Sequence, residues 1–315
     1  MPDRIYSRQC RLMGNQFAFS VVAQDEGWAQ ERMAEAMAEV QRIEALLTTY
    51  NESSQTNQIN AKAGQEAVAV AEEVFGLIER SLRISALTQG AFDITYGSID
   101  KSLWNFDPHM TALPDRQTAS RMVRLINYRN VVLDKRHKTV LLKEKGMRIG
   151  FGAIGKGYAA DRAKAVMRRA GVGSGIVNAA GDLTVWGRQP NGAAWTIGLA
   201  DPDVKQQPFA SLQLSDASVA TSGSYEKWAL IDGVKYSHTI DPKTGYPVRG
   251  IKSVTILCGS AELADALATP VMVMGIKAGL HMIDQLKGVA CIVIDDHDAI
   301  YTSRNINLKA EDENT

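Results

Sequence analysis

The chain has 315 residues, of which 45% are hydrophobic and 22% are charged, as is typical of a soluble protein with an apolar core. Its 35 basic residues balance 35 acidic ones, so no excess of positive charge favours a nucleic acid or an anionic membrane. The three cysteines, Cys10, Cys258 and Cys291, are odd in number and widely spaced, which argues against a disulfide framework or a zinc site. The N-terminal stretch has no apolar run long enough for a leader or a membrane span, which predicts a cytoplasmic protein.

Hydrophobic periodicity predicts helices in the first part of the chain. Residues 16–24 have the pattern of a strand, and residues 28–47 carry apolar side chains at helical spacing. The polar stretch 48–60 predicts a loop. A second helix is predicted over residues 66–88, where Gly90 follows in a position typical of a helix end.

The middle of the chain is predicted to alternate between irregular and regular structure. Residues 90–107 carry aromatic side chains without a clear period, which indicates an irregular packed segment. A third helix is predicted over residues 114–127, and residues 131–134 and 139–144 read as a hairpin. A further helix is predicted over residues 155–170.

The C-terminal half is predicted to be rich in strands. The predicted strands cover residues 175–187, 195–200, 210–215, 227–240, 252–258 and 289–295, and two helices begin near residues 261 and 277. Because helices come first and strands follow without βαβ alternation, the prediction is an α+β fold with mixed or antiparallel sheets and packed helices. No Pro-, Gly- or Ser-rich linker divides the chain, so one compact domain is predicted over residues 1–308, with a frayed charged tail at residues 309–315.

The glycine-rich stretch GFGAIGKGYAAD, residues 150–161, matches two nucleotide-binding patterns in part. A phosphate-binding P-loop needs Ser or Thr after the lysine, but Gly157 follows Lys156. A dinucleotide site needs an acidic residue at the end of the next strand, where Asn178 stands. Isolated, the stretch is as well explained by a strand-to-helix turn whose glycines allow close packing. A helix that starts near Gly155 with Lys156 in its first turn would still suit a phosphate.

A candidate metal site lies in the stretch AELADALATPVMVMG. Asp265 and Thr269 are four residues apart and therefore share one face of a predicted helix. A carboxylate and a hydroxyl are oxygen ligands that Mg²⁺ accepts. The alternative is that Asp265 is solvated and Thr269 packs inward. Pro270 follows Thr269 directly, and a proline inside a helix removes one hydrogen bond and bends the axis.

A candidate general base lies in the stretch VKYSHTIDPKTGYPV. Strand alternation places His238 on the same face as Tyr236 and Ile240, where it is either a hydrogen-bonded core histidine or a proton acceptor near its working pH. The stretch DPKTG that follows reads as a turn. The loop TSGSY, residues 221–225, consists of small residues that can approach a ligand.

Taken together and in this order, these segments resemble the ApbE family, the FAD:protein FMN transferases. The resemblance spans Met13 to Gly275. It is carried by the segments RLMGN, TTYNESSQTNQIN, TQGAFDITYGSIDKSLWNF, GAIGKGYAAD, VNAAGD, ATSGSYEKW, YSHTIDPKTGYPV and ADALATPVMVMG.

The resemblance implies a compact α+β fold and a Mg²⁺-dependent transfer of FMN from FAD, with release of AMP. The acceptor it implies is a Ser or Thr hydroxyl of a partner flavoprotein, in a Ser/Thr-Gly-Ala-Ser/Thr-type motif. By position, the resemblance assigns the FAD contacts to Met13, Tyr50, Ala91, Phe92, Asp93, Lys156 and Ile240. It assigns metal binding to Asp265, Thr269 and the backbone carbonyl of Ala153, and makes His238 the candidate general base.

Two other functions use the same residues. An FAD pyrophosphatase would bind the same cofactor and metal but use water as the nucleophile, giving FMN and AMP. A non-catalytic FAD-binding maturation partner would bind FAD without any need for the metal. The presence of Asp265, Thr269 and His238 together ranks the transferase first.

Overall fold

An antiparallel sheet of eight strands runs through the residues that the computed structural model describes, which are 2–102, 112–200, 208–223, 228–231, 234–237 and 239–306. The strands are β1 (Arg4–Leu12), β2 (Asn15–Ala23), β3 (Val68–Ala69), β4 (Val131–Asp134), β5 (Thr139–Leu142), β6 (Gly175–Ala179), β7 (Asp182–Trp186), β8 (Trp195–Ala200), β9 (Pro208–Leu214), β10 (Ala217–Gly223), β11 (Trp228–Ile231), β12 (Val234–Ser237), β13 (Ile251–Cys258), β14 (Ala290–Asp295) and β15 (Ile300–Thr302). The large sheet has the order β1-β2-β6-β7-β10-β13-β14-β15, and smaller sheets are formed by β3-β5-β4, β8-β9 and β11-β12.

Helices cover one face of the large sheet. The helices of the described residues are α1 (Glu26–Leu47), α2 (Gln55–Ala61), α3 (Glu72–Leu87), α4 (Arg116–Val123), α5 (Gly155–Arg169), α6 (Ala261–Met274) and α7 (Ile276–Ile283), with 3₁₀ turns at Ile94–Ser98 and Tyr128–Asn130. Helix α1 packs on β1 and β2, α5 on β6 and β7, and α6 on β10 and β13. The three helices therefore lie side by side, with α5 in contact with both of the others.

Apolar residues on both faces of the sheet form the core. On the helical face Phe17, Phe19 and Val21 alternate along β2 and are fully buried against α1 and α5. On the opposite face Leu183 and Val185 of β7 pack under the β8–β9 hairpin. Both faces of the central strands are thus buried, as expected where a sheet lies between two layers.

Helices α5 and α6 approach each other so closely that one position must be glycine. A Cβ atom added to Gly157 would lie 2.1 Å from the carbonyl oxygen of Ala261 and 2.8 Å from Cβ of Asp265. The Ser or Thr that a P-loop has after its lysine would therefore not fit at position 157. This contact also sets the distance between the first turn of α5, which carries Lys156, and helix α6, which carries Asp265.

The predicted α+β fold with packed helices and antiparallel strands is confirmed. Four short or exposed elements were not predicted: β1, α2, β3 and β15. Strand β1 lies at the sheet edge with mostly exposed residues, so it lacks the alternation that indicates a strand. Helix α2 lies in the predicted polar loop and is capped by Ser54. The helix predicted from residue 66 begins at Glu72 as α3, because the preceding strand β3 pairs with β5.

The domain boundary at residue 308 stays a prediction, since residues 307–315 lie outside the described residues. In the described parts of the chain, no helix combines the length and the apolar character needed to cross a membrane.

Candidate active site

The N-terminus of α5 is not an open anion site, because a carboxylate of the protein itself lies there. The N–H of Gly155 donates to the carbonyl of Phe151 at 2.7 Å, and the N–H of Gly157 donates to Oδ2 of Asp265 at 3.0 Å. The N–H of Lys156 also interacts with the Asp265 carboxylate. The expectation that free N–H groups at this turn bind a phosphate is therefore wrong, because the carbonyl of Phe151 and the carboxylate of Asp265 occupy them. A phosphate at this turn would be held by the side chain of Lys156 instead.

Asp265 is a buried carboxylate in an unfavourable environment. Its residue surface is only 6% exposed, because α6 presses this side chain against α5. Burial, followed by the negative charge of Asp182, raises the pKa of Asp265 well above its ordinary value, and Lys156 and the N–H of Gly157 only partly oppose the shift. The alternative that Asp265 is a solvated helix residue is thus wrong.

Asp182 is the third charged group of the cluster. Its carboxylate forms an ion pair with the ammonium of Lys156, and the residue is 2% exposed. It begins β7 directly after a two-residue turn, in which Ala180 and Gly181 have φ angles of 54° and 98°. Both values lie in the left-handed region, which is the geometry of tight hairpin turns. This turn fixes Asp182 at the start of β7, a strand on which α5 packs.

Thr269 lies one helical turn after Asp265 and is hydrogen-bonded across to β10. Its hydroxyl oxygen is 3.2 Å from the hydroxyl oxygen of Ser222. Pro270 lies inside α6, and the helix nevertheless continues to Met274. Thr269 therefore faces β10. Because Asp265 and Thr269 are four residues apart in an unbroken helix, they share one face of α6, as their spacing predicts.

Asp161 ties the start of the acidic helix to α5. Its carboxylate accepts hydrogen bonds from the hydroxyl of Ser260 (2.8 Å) and from the N–H groups of Ala261 (3.1 Å) and Glu262 (3.0 Å). A carboxylate at this position satisfies N–H groups that lack partners within the helix. Asp161 therefore fixes the first turn of α6, which directly precedes Asp265.

The oxygen atoms near this junction suit a hard divalent cation. Ala153 is half-buried and directly precedes the cap of α5, so its carbonyl belongs to the same turn as Lys156. Among the described residues, no three His, Cys, Asp or Glu side chains form a metal-binding group. One carboxylate, one hydroxyl and one carbonyl form an incomplete oxygen set, which is typical of Mg²⁺ sites that substrate phosphates and water complete.

Met13 and the residue before Tyr50 both lie against the glycine-rich stretch. Met13 occupies the tight turn between β1 and β2 with a φ of 51°, and its Cε would lie 3.5 Å from a Cβ atom on Gly155. Tyr50 is 99% exposed, and the preceding Thr49 reaches Gly150. A fully exposed tyrosine contributes little to the core, which is consistent with a ligand-facing position.

Ala91, Phe92 and Asp93 form a buried segment directly before the 3₁₀ turn at Ile94–Ser98. Oδ1 of Asp93 accepts from the N–H (2.8 Å) and hydroxyl (2.6 Å) of Thr95, and Oδ2 accepts from the N–H of Tyr128 (2.9 Å). Burial raises the pKa of Asp93, against the effect of these hydrogen bonds. The side chain thus already organises this segment, while it also lines an open cleft of about 380 Å³.

Ile240 connects a third part of the chain to this segment. Its N–H donates to the hydroxyl of Tyr96 at 3.1 Å, and its side chain packs against Met122 and Val123. The N–H of Gly150 donates to the carbonyl of Ile94, which joins the same segment to the glycine turn. His238 lies outside the described residues, so its role as a general base stays a prediction.

The structure thus brings Lys156, Asp265 and Thr269 into one region, with Met13 and Ala153 at the adjoining turn. Sequence reasoning did not assign Asp182, Ser222 or Asp161. All three stand in segments quoted for the resemblance (VNAAGD, ATSGSYEKW and GAIGKGYAAD), but nothing in the local pattern shows that they contact Lys156, Thr269 and α6.

The fold and this site define a class that is represented among solved structures. The crystal structure of the ApbE protein of Thermotoga maritima superposes with a TM-score of 0.85, at 31% sequence identity, over 96% of this chain and 97% of that one. The apo form of the flavinyl transferase ApbE of Pseudomonas stutzeri superposes with a TM-score of 0.83, at 27% identity, over 96% of this chain and 95% of that one.

The sequence comparison specifies the family. The chain belongs to the ApbE family, whose profile matches residues 13–293. A protein of Klebsiella pneumoniae named FAD:protein FMN transferase is 31% identical over 308 residues, which cover 97% of this chain and 92% of the relative. A protein of the same name from Treponema pallidum is 30% identical over 289 residues, covering 87% and 80% respectively.

Proposed function

We propose that this protein is an FAD:protein FMN transferase, which moves the FMN part of FAD onto a Ser or Thr hydroxyl of a partner flavoprotein and releases AMP. The observation that carries the proposal is the cluster of Asp265, Asp182 and Lys156. The described residues place two buried carboxylates beside one ammonium here, and a divalent cation would neutralise negative charge at such a cluster. The reaction is inferred from the name that the relatives share, and the cluster supports the place in the fold at which it would occur.

The residues around the cluster fit Mg²⁺. Asp265, Thr269 and the carbonyl of Ala153 would hold the ion by their oxygen atoms, and the diphosphate of FAD and water would complete six ligands. When bound, Mg²⁺ supplies a positive charge that stabilises the charge developing on the diphosphate. The apolar and aromatic neighbours Met13 and Tyr50 would hold the ring systems of FAD.

The chain's own groups then prepare the transfer. Lys156, held at the first turn of α5, would contact the diphosphate and neutralise charge on the departing AMP. The hydroxyl oxygen of the acceptor attacks the phosphorus of the FMN half, and the bond from that phosphorus to the AMP oxygen breaks. His238 is the candidate that takes the proton of the hydroxyl, a contribution typically worth ~10²–10⁴-fold in rate.

Mass spectrometry of an acceptor flavoprotein tests the function. Purified protein, FAD and Mg²⁺ are incubated with an acceptor that carries a Ser/Thr-Gly-Ala-Ser/Thr-type motif, and the acceptor is expected to gain the mass of one FMN. EDTA and Asp265→Ala should each abolish the gain. The matched acceptor in which the target hydroxyl is removed by Thr→Val is the control.

Two outcomes would contradict the transferase. Release of free FMN and AMP at a rate that no acceptor changes would identify an FAD pyrophosphatase. FAD binding that is indifferent to Mg²⁺ and to Asp265→Ala would identify a non-catalytic maturation partner. The Ser/Thr-Gly-Ala-Ser/Thr-type acceptor motif and a cytoplasmic setting for the reaction stay predictions. Mass measurement of flavoproteins co-expressed with this chain would test the motif and identify the acceptor.

A further inference from the structure

We propose that the outer edge of strand β1 is the docking surface for the acceptor flavoprotein, and that it pairs with an extended, acidic segment of that protein. The inference rests on the proposed function for the identity of the partner. It adds where the partner binds, which chemistry it presents there, and how this contact leads the acceptor hydroxyl to the candidate active site.

The first observation is a complete and unprotected sheet edge. Strand β1 lies at the end of the large sheet and, in the part of the chain that the structure describes, pairs only with β2, through 9 successive residues without a bulge. Proteins usually protect such an edge with a proline, a bulge or a very short strand. Strand β1 has none of these, so the N–H and C=O groups on its outer side are available to an added strand.

The turn after β1 decides which backbone groups point outward. Met13 and Gly14 form this turn with φ angles of 51° and 73°, and Leu12 pairs with Asn15 across it. The pair that closes a two-residue turn is hydrogen-bonded, and hydrogen-bonded pairs alternate with non-bonded ones along an antiparallel ladder. The residues whose N–H and C=O groups point away from β2 are therefore Ile5, Ser7, Gln9 and Arg11. At about 3.3 Å per residue they offer an edge of about 20 Å.

Arginine side chains give this edge a single sign of charge. Strand β1 contains Arg4, Arg8 and Arg11 and no acidic residue. All three are exposed, and among the described residues none of them has a carboxylate partner. Two copies of β1 paired along this edge would bring arginines together, which disfavours a homodimer. An acidic segment would be attracted instead, so the edge selects a partner of opposite charge.

A groove between β1 and α1 would receive side chains of the added strand. It has a volume of about 290 Å³. Its α1 side carries only uncharged side chains, those of Ala34, Met37, Ala38 and Gln41, and its β1 side is formed by Arg8, Cys10, Arg11 and Leu12. Because successive side chains of a strand alternate between its faces, every second residue of the added strand would enter this groove, where an acidic side chain would meet Arg8.

The direction of β1 connects this surface to the candidate active site. The strand leads directly into Met13, whose Cε would lie 3.5 Å from a Cβ atom on Gly155, and Gly155 precedes Lys156 in the first turn of α5. A segment paired with β1 would therefore end beside the turn that carries Lys156. Antiparallel pairing is the more stable arrangement, so the modified hydroxyl should precede the acidic segment in the acceptor chain.

Two synthetic peptides test the proposal. The first carries a Thr-Gly-Ala-Thr motif followed by a segment in which Glu alternates with Val, and the second has Lys in place of Glu. Fluorescence anisotropy with the FAD-free protein should show that the acidic peptide binds at least about tenfold more tightly, with a difference that salt reduces. With FAD and Mg²⁺, the acidic peptide should gain FMN faster than a peptide of reversed order, in which the motif follows the acidic segment.

Substitutions in β1 locate the contact. Gln9→Pro removes an N–H that points outward, a change that an edge strand tolerates, and should weaken binding of the acidic peptide by about tenfold. Gln9→Ala keeps this N–H and is the matched control. Replacing both Arg8 and Arg11 by Glu should reverse the preference, so that the lysine peptide binds more tightly. If Gln9→Pro does not fold, this charge reversal decides the test alone.

Three results would overturn the proposal. They are equal binding of the acidic and lysine peptides, a folded Gln9→Pro variant that binds the acidic peptide as Gln9→Ala does, and equal FMN gain by peptides of either order. Sedimentation that shows a dimer dissociated by Gln9→Pro would identify a second copy as the occupant and would overturn it too.

The binding measurements are independent of the reaction. Acidic-peptide binding along β1 without FMN transfer to any acceptor contradicts the proposed function and leaves the docking surface in place. Transfer to an acceptor flavoprotein at a rate that the folded β1 variants do not change contradicts only this inference.

Discussion

Replacing Asp265 by asparagine should stabilise the metal-free protein while it abolishes the response to metal. The residue is 6% exposed, and burial and the charge of Asp182 raise its pKa above the ordinary value of 3.8. Below pH 3.8 the group is neutral in the folded and unfolded chains alike. As the pH rises from there to the raised folded pKa, only the folded chain keeps the proton, so the free energy of unfolding falls. Above the folded pKa the full penalty applies.

Asparagine removes this penalty but keeps an oxygen for the N–H of Gly157. One pKa unit corresponds to about 1.4 kcal/mol, so removing the charged form of a buried carboxyl whose pKa is raised should stabilise the folded, metal-free chain by about 2 kcal/mol. With about 2 kcal/mol and about 2 °C per kcal/mol for a chain of this size, the melting temperature at pH 8 in EDTA should rise by about 4 °C. At pH 5, where the raised pKa keeps Asp265 largely protonated, the difference between variant and unaltered protein should shrink.

Differential scanning fluorimetry with EDTA or Mg²⁺ at the two pH values measures both effects. Mg²⁺ at one hundred times its dissociation constant should stabilise the unaltered protein by about 2.7 kcal/mol and the variant by nothing. Asp216→Asn, which removes an exposed charge of the same kind, should leave both measurements unchanged. A variant that melts below the unaltered protein in EDTA at pH 8, or one that Mg²⁺ stabilises equally, would refute the reasoning.

Three further substitutions test the geometry of the site. Gly157→Ala should destabilise the protein by at least about 2 kcal/mol, because its Cβ would lie 2.1 Å from the Ala261 carbonyl oxygen, and chemical denaturation that shows no loss would contradict that contact. Tyr50→Ala should change the free energy of unfolding by less than about 0.5 kcal/mol, because the side chain is 99% exposed, while FAD affinity measured by fluorescence quenching falls; unaltered FAD affinity would remove Tyr50 from the site. Ser222→Ala should weaken Mn²⁺ binding by about tenfold, because the hydroxyl of Thr269 loses the partner that orients it, and equal binding in both proteins would argue against that role.

The local chemistry of several site residues could be predicted from the sequence. The spacing of Asp265 and Thr269 places both on one face of a helix whatever the rest of the chain does, because helical periodicity is a local property. The structure confirms the shared face and shows that Pro270 leaves the helix intact. The glycines of the turn likewise indicate close packing, and Gly157 meets that expectation against α6.

The expectation of an open phosphate site at the start of α5 is wrong because of Asp265, which lies 108 residues after Gly157 in the chain. The N–H of Gly157 is occupied by Asp265, and no local pattern around Lys156 indicates that a distant helix delivers a carboxylate there. Asp182 and Ser222 were missed for the same reason. Their partners lie 26 and 47 residues away, so their roles depend on which strands and helices become neighbours.

By itself, the sequence determined the α+β class and most of the longer helices and strands, the resemblance to a family, and the residue types available for metal and nucleotide chemistry. These are properties of composition and of short-range periodicity, which every segment carries with it. Only the tertiary structure decided which charges meet. Antiparallel pairing brings β7 and β10 side by side, α5 and α6 pack above them, and the charge balance of Lys156, Asp182 and Asp265 results from that convergence. Electrostatic energy depends on distance and burial, and both are set by the folded chain rather than by the order of its residues.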